Sequence, residues 1–446
     1  MTVQRKQSTY YNLIWRWHFY AGLCVAPFLL ILSLTGSIYL FNDEINDVLY
    51  PELRFAEQAG ASLPMSQLVD AVQTAYPGST VTRIYSATAP DRTTELFVTT
   101  AAGESLRAFV DPVSATFLGS YVYETTLIGL SDQIHGSLLL GDFGDAIVEL
   151  AACWTLVMII SGLYLWFPRT QTRTQKSGNW WPRLQLRGRA WWKDIHKITG
   201  LYTAVLIVFL VITGLPWATV WGSKILTPLT NAVGLGYPDG TRRPLGVARS
   251  AHHHNLPWTL QQAPVPESDD TSSIAPLPLD QIIDIVHAQG MPVYRLSMPQ
   301  ESKSVYMAYT YPNQPEGQRT LHIDRYSGEV LGDIRFEDYG GVAKAVEWGV
   351  AIHMGNYFGR SNQILMLVPC LASILLVISG IVMWWRRKPE KGLGAPVYLQ
   401  HAPLSVSLAL TLVVLMVLFP LFGGSVILIL LVEKIAAWGR RRYAAG

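Results

Sequence analysis

Charge is scarce in this chain: of 446 residues only 15% are Asp, Glu, Lys or Arg, while half are hydrophobic. That balance argues against intrinsic disorder and against a purely soluble enzyme. Cysteine is scarcer still, and Cys24, Cys153 and Cys370 all fall inside apolar stretches. Neither an external disulfide nor a thiolate metal site is therefore expected. No G-x-G-x-x-G phosphate cradle occurs, so no built-in nicotinamide or flavin domain is evident. The net charge of +2 gives no reason to expect a nucleic-acid partner.

What the chain has instead is long uncharged runs. Residues 17–42, 150–168, 198–223 and 361–385 contain no Asp, Glu, Lys or Arg, and each is close to the roughly 20 residues a helix needs to cross a bilayer. A fifth run, 392–432, is strongly apolar only from about 404. It reads as one span or a re-entrant helix, because Pro420 and Gly423-Gly424 interrupt it. The first run exits abruptly at Asp43-Glu44 without a small-residue cleavage site and is read as a retained span rather than a signal peptide.

Charge placement sets the expected orientation. Arg169, Arg173, Lys176, Arg183, Arg187, Arg189, Lys193 and Lys197 stand against a single acid, Asp194, which puts that loop in the cytoplasm. Arg5, Lys6 and Arg16, and later Arg386, Arg387, Lys388 and Lys391, mark the same side. The expected layout is an N-terminal segment and first span (1–42), an external segment (43–145), a second span (146–168) and a cytoplasmic basic loop (169–195). A third span (196–221), a second external segment (222–359), a fourth span (360–386), a cytoplasmic loop (387–402) and the C-terminal apolar segment (403–446) follow. Arg440, Arg441 and Arg442 argue for an inside C-terminus, whereas a single span after 403 would put it outside.

The chain repeats itself. His18 precedes Gly22 and Thr35-Gly36 at the intervals by which His196 precedes Gly200 and Thr213-Gly214. From His135, Gly141, Ser161 and Trp166 lie 6, 26 and 31 residues on, as Gly359, Ser379 and Trp384 do from His353. Such agreement marks an internal repeat. Each external segment opens a helical pattern, at Leu63-Pro64 and at Leu277-Pro278, and then alternates as strands do at 94–99 and 304–309. Turns are expected at Asp111–Ser114 and Tyr326–Glu329. A Pro- and Gly-rich stretch, about 225–274, reads as loop.

The paired His and Thr-Gly helices, the two Ser-Gly-x-x-x-Trp helices and the modules between them resemble the PepSY-associated transmembrane family, which includes iron-regulated siderophore reductases, over roughly residues 12–390. The resemblance implies an α-helical membrane protein with two external α+β PepSY-like modules. Its plan is a tandem repeat of span, module and span with a C-terminal apolar helix, in a bacterial inner membrane with the modules periplasmic.

Topology sorts four histidines into two pairs, His18 with His196 near the cytoplasmic face and His135 with His353 near the outer one. Two imidazoles on facing helices suit the axial positions of one haem iron, and Gly22 and Gly200, one turn past His18 and His196, leave room for a flat macrocycle. The resemblance supports two b-type haems held in this way. The plainer reading of such a histidine is an interfacial hydrogen-bonding residue. Zinc would call for acids or cysteines that are missing here. Met354, where the first copy has Gly136, departs from the repeat. His401 is a possible substitute ligand, His252-His253-His254 a loop cluster with an option on metal, and His287 and His322 packed or surface residues. The boundary tryptophans read mostly as headgroup anchors. Asp132, Asp142, Asp145 and Glu149 are given no role beyond capping or ion pairing.

Two haems at different depths would form an electron path to an external acceptor. By resemblance that acceptor is a ferric siderophore, released as iron(II), with a separate cytoplasmic reductase or membrane quinol as donor. Association into a homodimer is left open. The competing classes are a non-catalytic PepSY-type binding or regulatory protein, and a transporter, against which stands the shortage of ionisable residues inside the spans.

Overall fold

The computed structural model describes residues 3–57, 60–167, 180–238, 266–268, 275–387 and 406–443. In chain order the elements are α1 (Val3–Tyr39), α2 (Asn42–Leu49), α3 (Pro51–Arg54), α4 (Met65–Ala75), β1 (Thr80–Tyr85), β2 (Thr94–Thr99), β3 (Ser105–Val110), β4 (Phe117–Tyr121), α5 (Leu127–Ser137), α6 (Gly141–Trp166) and α7 (Gly188–Gly214). They continue with α8 (Thr227–Ala232), α9 (Leu279–Ala288), β5 (Arg295–Ser297), β6 (Tyr306–Thr310), β7 (Arg319–Ile323), β8 (Val330–Arg335), α10 (Gly341–His353), α11 (Arg360–Trp385), α12 (Val406–Leu418) and α13 (Pro420–Tyr443). Two compact units result, one of residues 1–37, 134–226 and 364–446 and the other of 38–133 and 227–363. His252, His253, His254 and His401, and most of the 225–274 stretch, lie outside the described residues.

The first unit is helical. Among the described residues five helices are long and apolar enough to cross a membrane: Tyr10–Tyr39, Gly141–Trp166, Gly188–Trp217, Arg360–Trp385 and Pro420–Trp438. With no water in the bilayer core, the helix is the form in which such a segment satisfies its own backbone. The C-terminal apolar run is broken between α12 and α13 at Pro420, which cannot continue the ladder. At that corner a Cβ on Gly423 would come within 2.8 Å of the Met416 carbonyl oxygen, so only glycine permits the approach. The corner docks on α6: the Trp154 indole donates to Ser425 Oγ at 3.1 Å and stacks edge-on against the buried Phe422 at 4.9 Å. Trp221 donates to the Leu418 carbonyl at 3.0 Å. These two tryptophans, among the boundary indoles expected mostly as headgroup anchors, hold the C-terminal helices. Asp145 accepts from the backbone N–H of Thr219, and Glu149 from those of Val220 and Trp221, capping a short helical segment as the sequence suggested.

The second unit is an α/β body. Its strands form one eight-stranded sheet in the order β4-β3-β2-β1-β5-β6-β7-β8. The sequence reading assigned a separate module to each external segment. The structure joins the two sets of strands edge to edge, Ile84 opposite Leu296 on β1 and β5. The physical reason is that a lone β1 would leave an unpaired row of N–H and C=O groups. Helices α4 and α9 cover the same face of the sheet, and Leu68 and Val72, Ile282 and Val286 share one core with Ile84, Leu96, Leu296 and Leu321. Ser66 N donates to Asp280 Oδ1 at 3.1 Å, linking the starts of the two helices. Matching turns follow: Asp111 Oδ1 accepts from Val113 N and Asp324 Oδ1 from Tyr326 N, both at 2.8 Å. Gly328 takes a left-handed φ of 73° there, which glycine adopts without strain.

Ile84→Ala at the centre of this sheet is expected to cost about 2–5 kcal/mol, whereas Val48→Ala, at a side chain 79% exposed, should stay within about 0.5 kcal/mol; thermal unfolding in nanodiscs checks both. Asp47 provides an acid test. Hydrogen bonds from Arg92, and then from Arg54, outweigh its partial burial and hold its carboxyl below the usual range. A depressed folded value means stability complete above about pH 4 and lost as pH falls through the folded value. Asp47→Asn should flatten the acid limb of a stability-against-pH curve.

Candidate functional site

His18 and His196 lie eight residues into their spans, counted from Tyr10 and Gly188. Each is held by a hydroxyl on a different helix. His18 Nδ1 meets Ser161 Oγ on α6 at 2.8 Å, and His196 Nδ1 meets Ser379 Oγ on α11 at 2.8 Å with the Leu376 carbonyl at 3.1 Å. The serine protons are already committed, Ser161 Oγ donating to Met158 O at 3.1 Å and Ser379 Oγ to Leu376 O at 3.0 Å. His196 Nδ1, which also faces the Leu376 carbonyl, must donate, and with the Ser161 proton on Met158 O the His18 ring is placed to donate from Nδ1 in the same way. That leaves the lone pair on Nε2, which is the state of a metal-ligating histidine whose other nitrogen is tied down.

The geometry between the two rings is specific. Their centroids are 6.4 Å apart and their planes cross at 87°. An imidazole nitrogen binds a first-row metal at about 2.0 Å and lies about 1.1 Å from its ring centre, so two rings on opposite sides of one metal have centroids about 6.2 Å apart. The rings face a cavity of about 740 Å³ lined by α1, α6, α7 and α11, within the range of cofactor sites. Its wall is apolar, with Trp15, Phe19, Trp166 and Trp384 among the lining residues, and Arg189, Lys193, Lys197 and Arg387 lie on it as well. An apolar slot with cations suits a flat macrocycle that carries carboxylates. Gly22 and Gly200 line it, a Cβ on them standing 3.0 Å from Met158 Cε and 3.6 Å from Leu376 Cδ2.

A pattern not read from the sequence emerges here. A hydroxyl followed by glycine cradles each imidazole: Ser161-Gly162 for His18, Ser379-Gly380 for His196 and Thr35-Gly36 for His135 on α5. In the last, His135 Nδ1 lies 3.0 Å from Thr35 Oγ1, which donates to Ile31 O at 2.8 Å. A Cβ on Gly36, Gly162 or Gly380 would sit 3.0, 3.2 or 3.8 Å from the Cε1 of the ring it faces. The dipeptides stood out in the repeat, yet their partners lie on other helices. His353 ends α10 in the second unit. His322 is fully buried in β7, and His287 is exposed beside Tyr294 at 5.6 Å.

Among the described residues no group of three or more His, Cys, Asp and Glu is placed to hold a metal ion. A porphyrin supplies four of its iron's ligands and asks the protein for the axial pair alone, so two histidines meet that need and would not meet zinc's.

Histidine ¹⁵N shifts of labelled protein free of added cofactor should report the Nδ1-protonated tautomer for His18, His135 and His196. Ser161→Ala should abolish that signature at His18 alone.

The family model of the PepSY-associated TM region matches residues 15–387 of the chain. No curated protein is significantly similar to it.

Proposed function

The chain belongs to the PepSY-associated TM region family, and from that premise we propose that it is a haem-binding membrane oxidoreductase. Bound haem would supply one-electron chemistry between ferric and ferrous iron. The observation that carries the reading is the His18–His196 pair, with rings 6.4 Å apart and crossed at 87° over an apolar cavity. His18 and His196 would hold the iron through Nε2, while Ser161 and Ser379, accepting from Nδ1, fix the ring orientations and would raise ligand basicity. Gly22, Gly162, Gly200 and Gly380 line the slot, and Arg189, Lys193, Lys197 and Arg387 on its wall would neutralise the carboxylates of such a group. The apolar lining would exclude water from the bound group and so tune its potential. The proposal includes a second b-type haem, for which the repeat spacing and the family resemblance offer His135 and His353 as ligands.

The proposed direction is from a cytoplasmic reductase or membrane quinol to an iron(III) siderophore on the far side. There, addition of one electron yields iron(II), a poorer fit for hard oxygen ligands. This orientation, with the N-terminus cytoplasmic and the α/β body periplasmic in a bacterial inner membrane, rests on the basic residues of the short loops. A second reading, a non-catalytic PepSY-type binding or regulatory protein, draws more directly on the family match and on the want of a multi-ligand metal cluster among the described residues.

Haem content per chain, by pyridine haemochrome after haem-sufficient expression, separates the two. Two haems are expected, with one lost in His18→Ala or His196→Ala and the other in His135→Ala or His353→Ala. Ser161→Ala should weaken haem retention by about 10- to 100-fold. A haem-free parent would sink the oxidoreductase reading and leave the binding protein.

A further inference from the structure

The sheet has a second face, turned away from the core under α4 and α9. Alternation along the strands sends Ile84, Leu96, Ala108 and Leu296 into that core and places Arg83, Tyr85, Phe97, Arg107 and Arg295 on the other side. These form a row in which cations and rings alternate. The Arg295 guanidinium stands 4.3 Å from the Tyr85 ring centre, and Arg83 stands 5.9 Å from Tyr85 and 4.8 Å from Phe97. Arg107 lies 5.0 Å from Phe97. With strands about 4.8 Å apart, three guanidiniums on β5, β1 and β3 occupy a row on the order of 15 Å long.

Ion pairing answers little of the charge on Arg83 and Arg295. Glu95, opposite Tyr85 in the register, is taken by Arg54 at 3.4 Å. Among the described residues no carboxylate lies within ion-pair distance of Arg83 or Arg295. Arg83 Nη1 reaches the Tyr85 hydroxyl at 3.2 Å, but Arg83 Nε is buried without a hydrogen-bond partner, a costly state unless a ligand supplies one. Arg83, Tyr85 and Arg295 themselves are half-buried. Burial pushes the Tyr85 phenol up, but the Arg83 and Arg295 guanidiniums, with hydrogen bonds from Tyr309 and Arg83, bring it down to about 8.

We propose that this row binds a small polycarboxylate, with its carboxylates on the guanidiniums of Arg83 and Arg295. Planar guanidinium forks match carboxylates two bonds at a time, and a row of repeated cations favours a ligand with several carboxylates over a single compact anion. The site goes beyond the haem reading and stands or falls without it.

Citrate is the probe, titrated calorimetrically into the full-length protein in nanodiscs, with inorganic phosphate as comparator. Saturable citrate binding is expected, at least about tenfold weaker in Arg83→Gln and in Arg295→Gln, with phosphate far weaker than citrate. Bound citrate should also move the phenolate absorbance that Tyr85→Phe removes to higher pH, because a neighbouring anion disfavours the phenolate. Should a glutamine variant fail to fold, Arg295→Lys keeps the charge without the fork and is expected to bind less tightly than the parent. No citrate binding, binding unaffected in folded variants, or phosphate binding as tight as citrate would overturn the proposal.

Discussion

The hydrogen bond from an imidazole Nδ1 to a hydroxyl on another helix is the constraint on which the membrane unit depends. Inside a bilayer an unsatisfied polar group is expensive, so a histidine in a span dictates which helix stands beside it. His18 draws α6 to α1 through Ser161, and His196 draws α11 to α7 through Ser379. The glycine after each serine lets the ring lie against the neighbouring backbone. One dipeptide thus sets the partner, the ring orientation and the tautomer together, and the free Nε2 atoms are left as a consequence of packing.

The α/β body meets a different requirement. Two short sheets, each with one helix over it, would expose four edges and split a small core in two. Pairing β1 with β5 removes two of those edges and merges the apolar faces into one core. The same join brings Arg295 beside Tyr85 and Arg83, so the cationic row exists only in the merged sheet.

A good part of this was legible in the chain. Uncharged runs give the spans because a helix must cover the bilayer thickness with apolar side chains, and five helices of that kind are present. Pro420 and Gly423 marked the broken C-terminal segment, which folds at that corner. The alternating stretch at Thr94–Thr99 is β2, buried on every second residue, and Asp111 and Asp324 make the turns that their spacing suggested. His18, His196, Gly22 and Gly200 meet at one cavity. The boundary tryptophans read mostly as headgroup anchors because indoles favour the interface, and the contacts of Trp154 and Trp221 with the C-terminal helices could not be read from that preference.

The sequence by itself determined periodicity and spacing: which residues share a helix face or a strand face, and which positions recur in both halves. Those are properties of the local backbone, fixed by 3.6 residues per turn or by alternation. Only the tertiary structure decided partnership. Ser161 is spaced from His135 along the chain yet bonds His18, and Arg83 and Arg295 are remote in sequence yet flank one tyrosine ring. Such pairs are chosen by which helices and strand edges must satisfy one another in the folded state, and no local rule along the chain carries that choice.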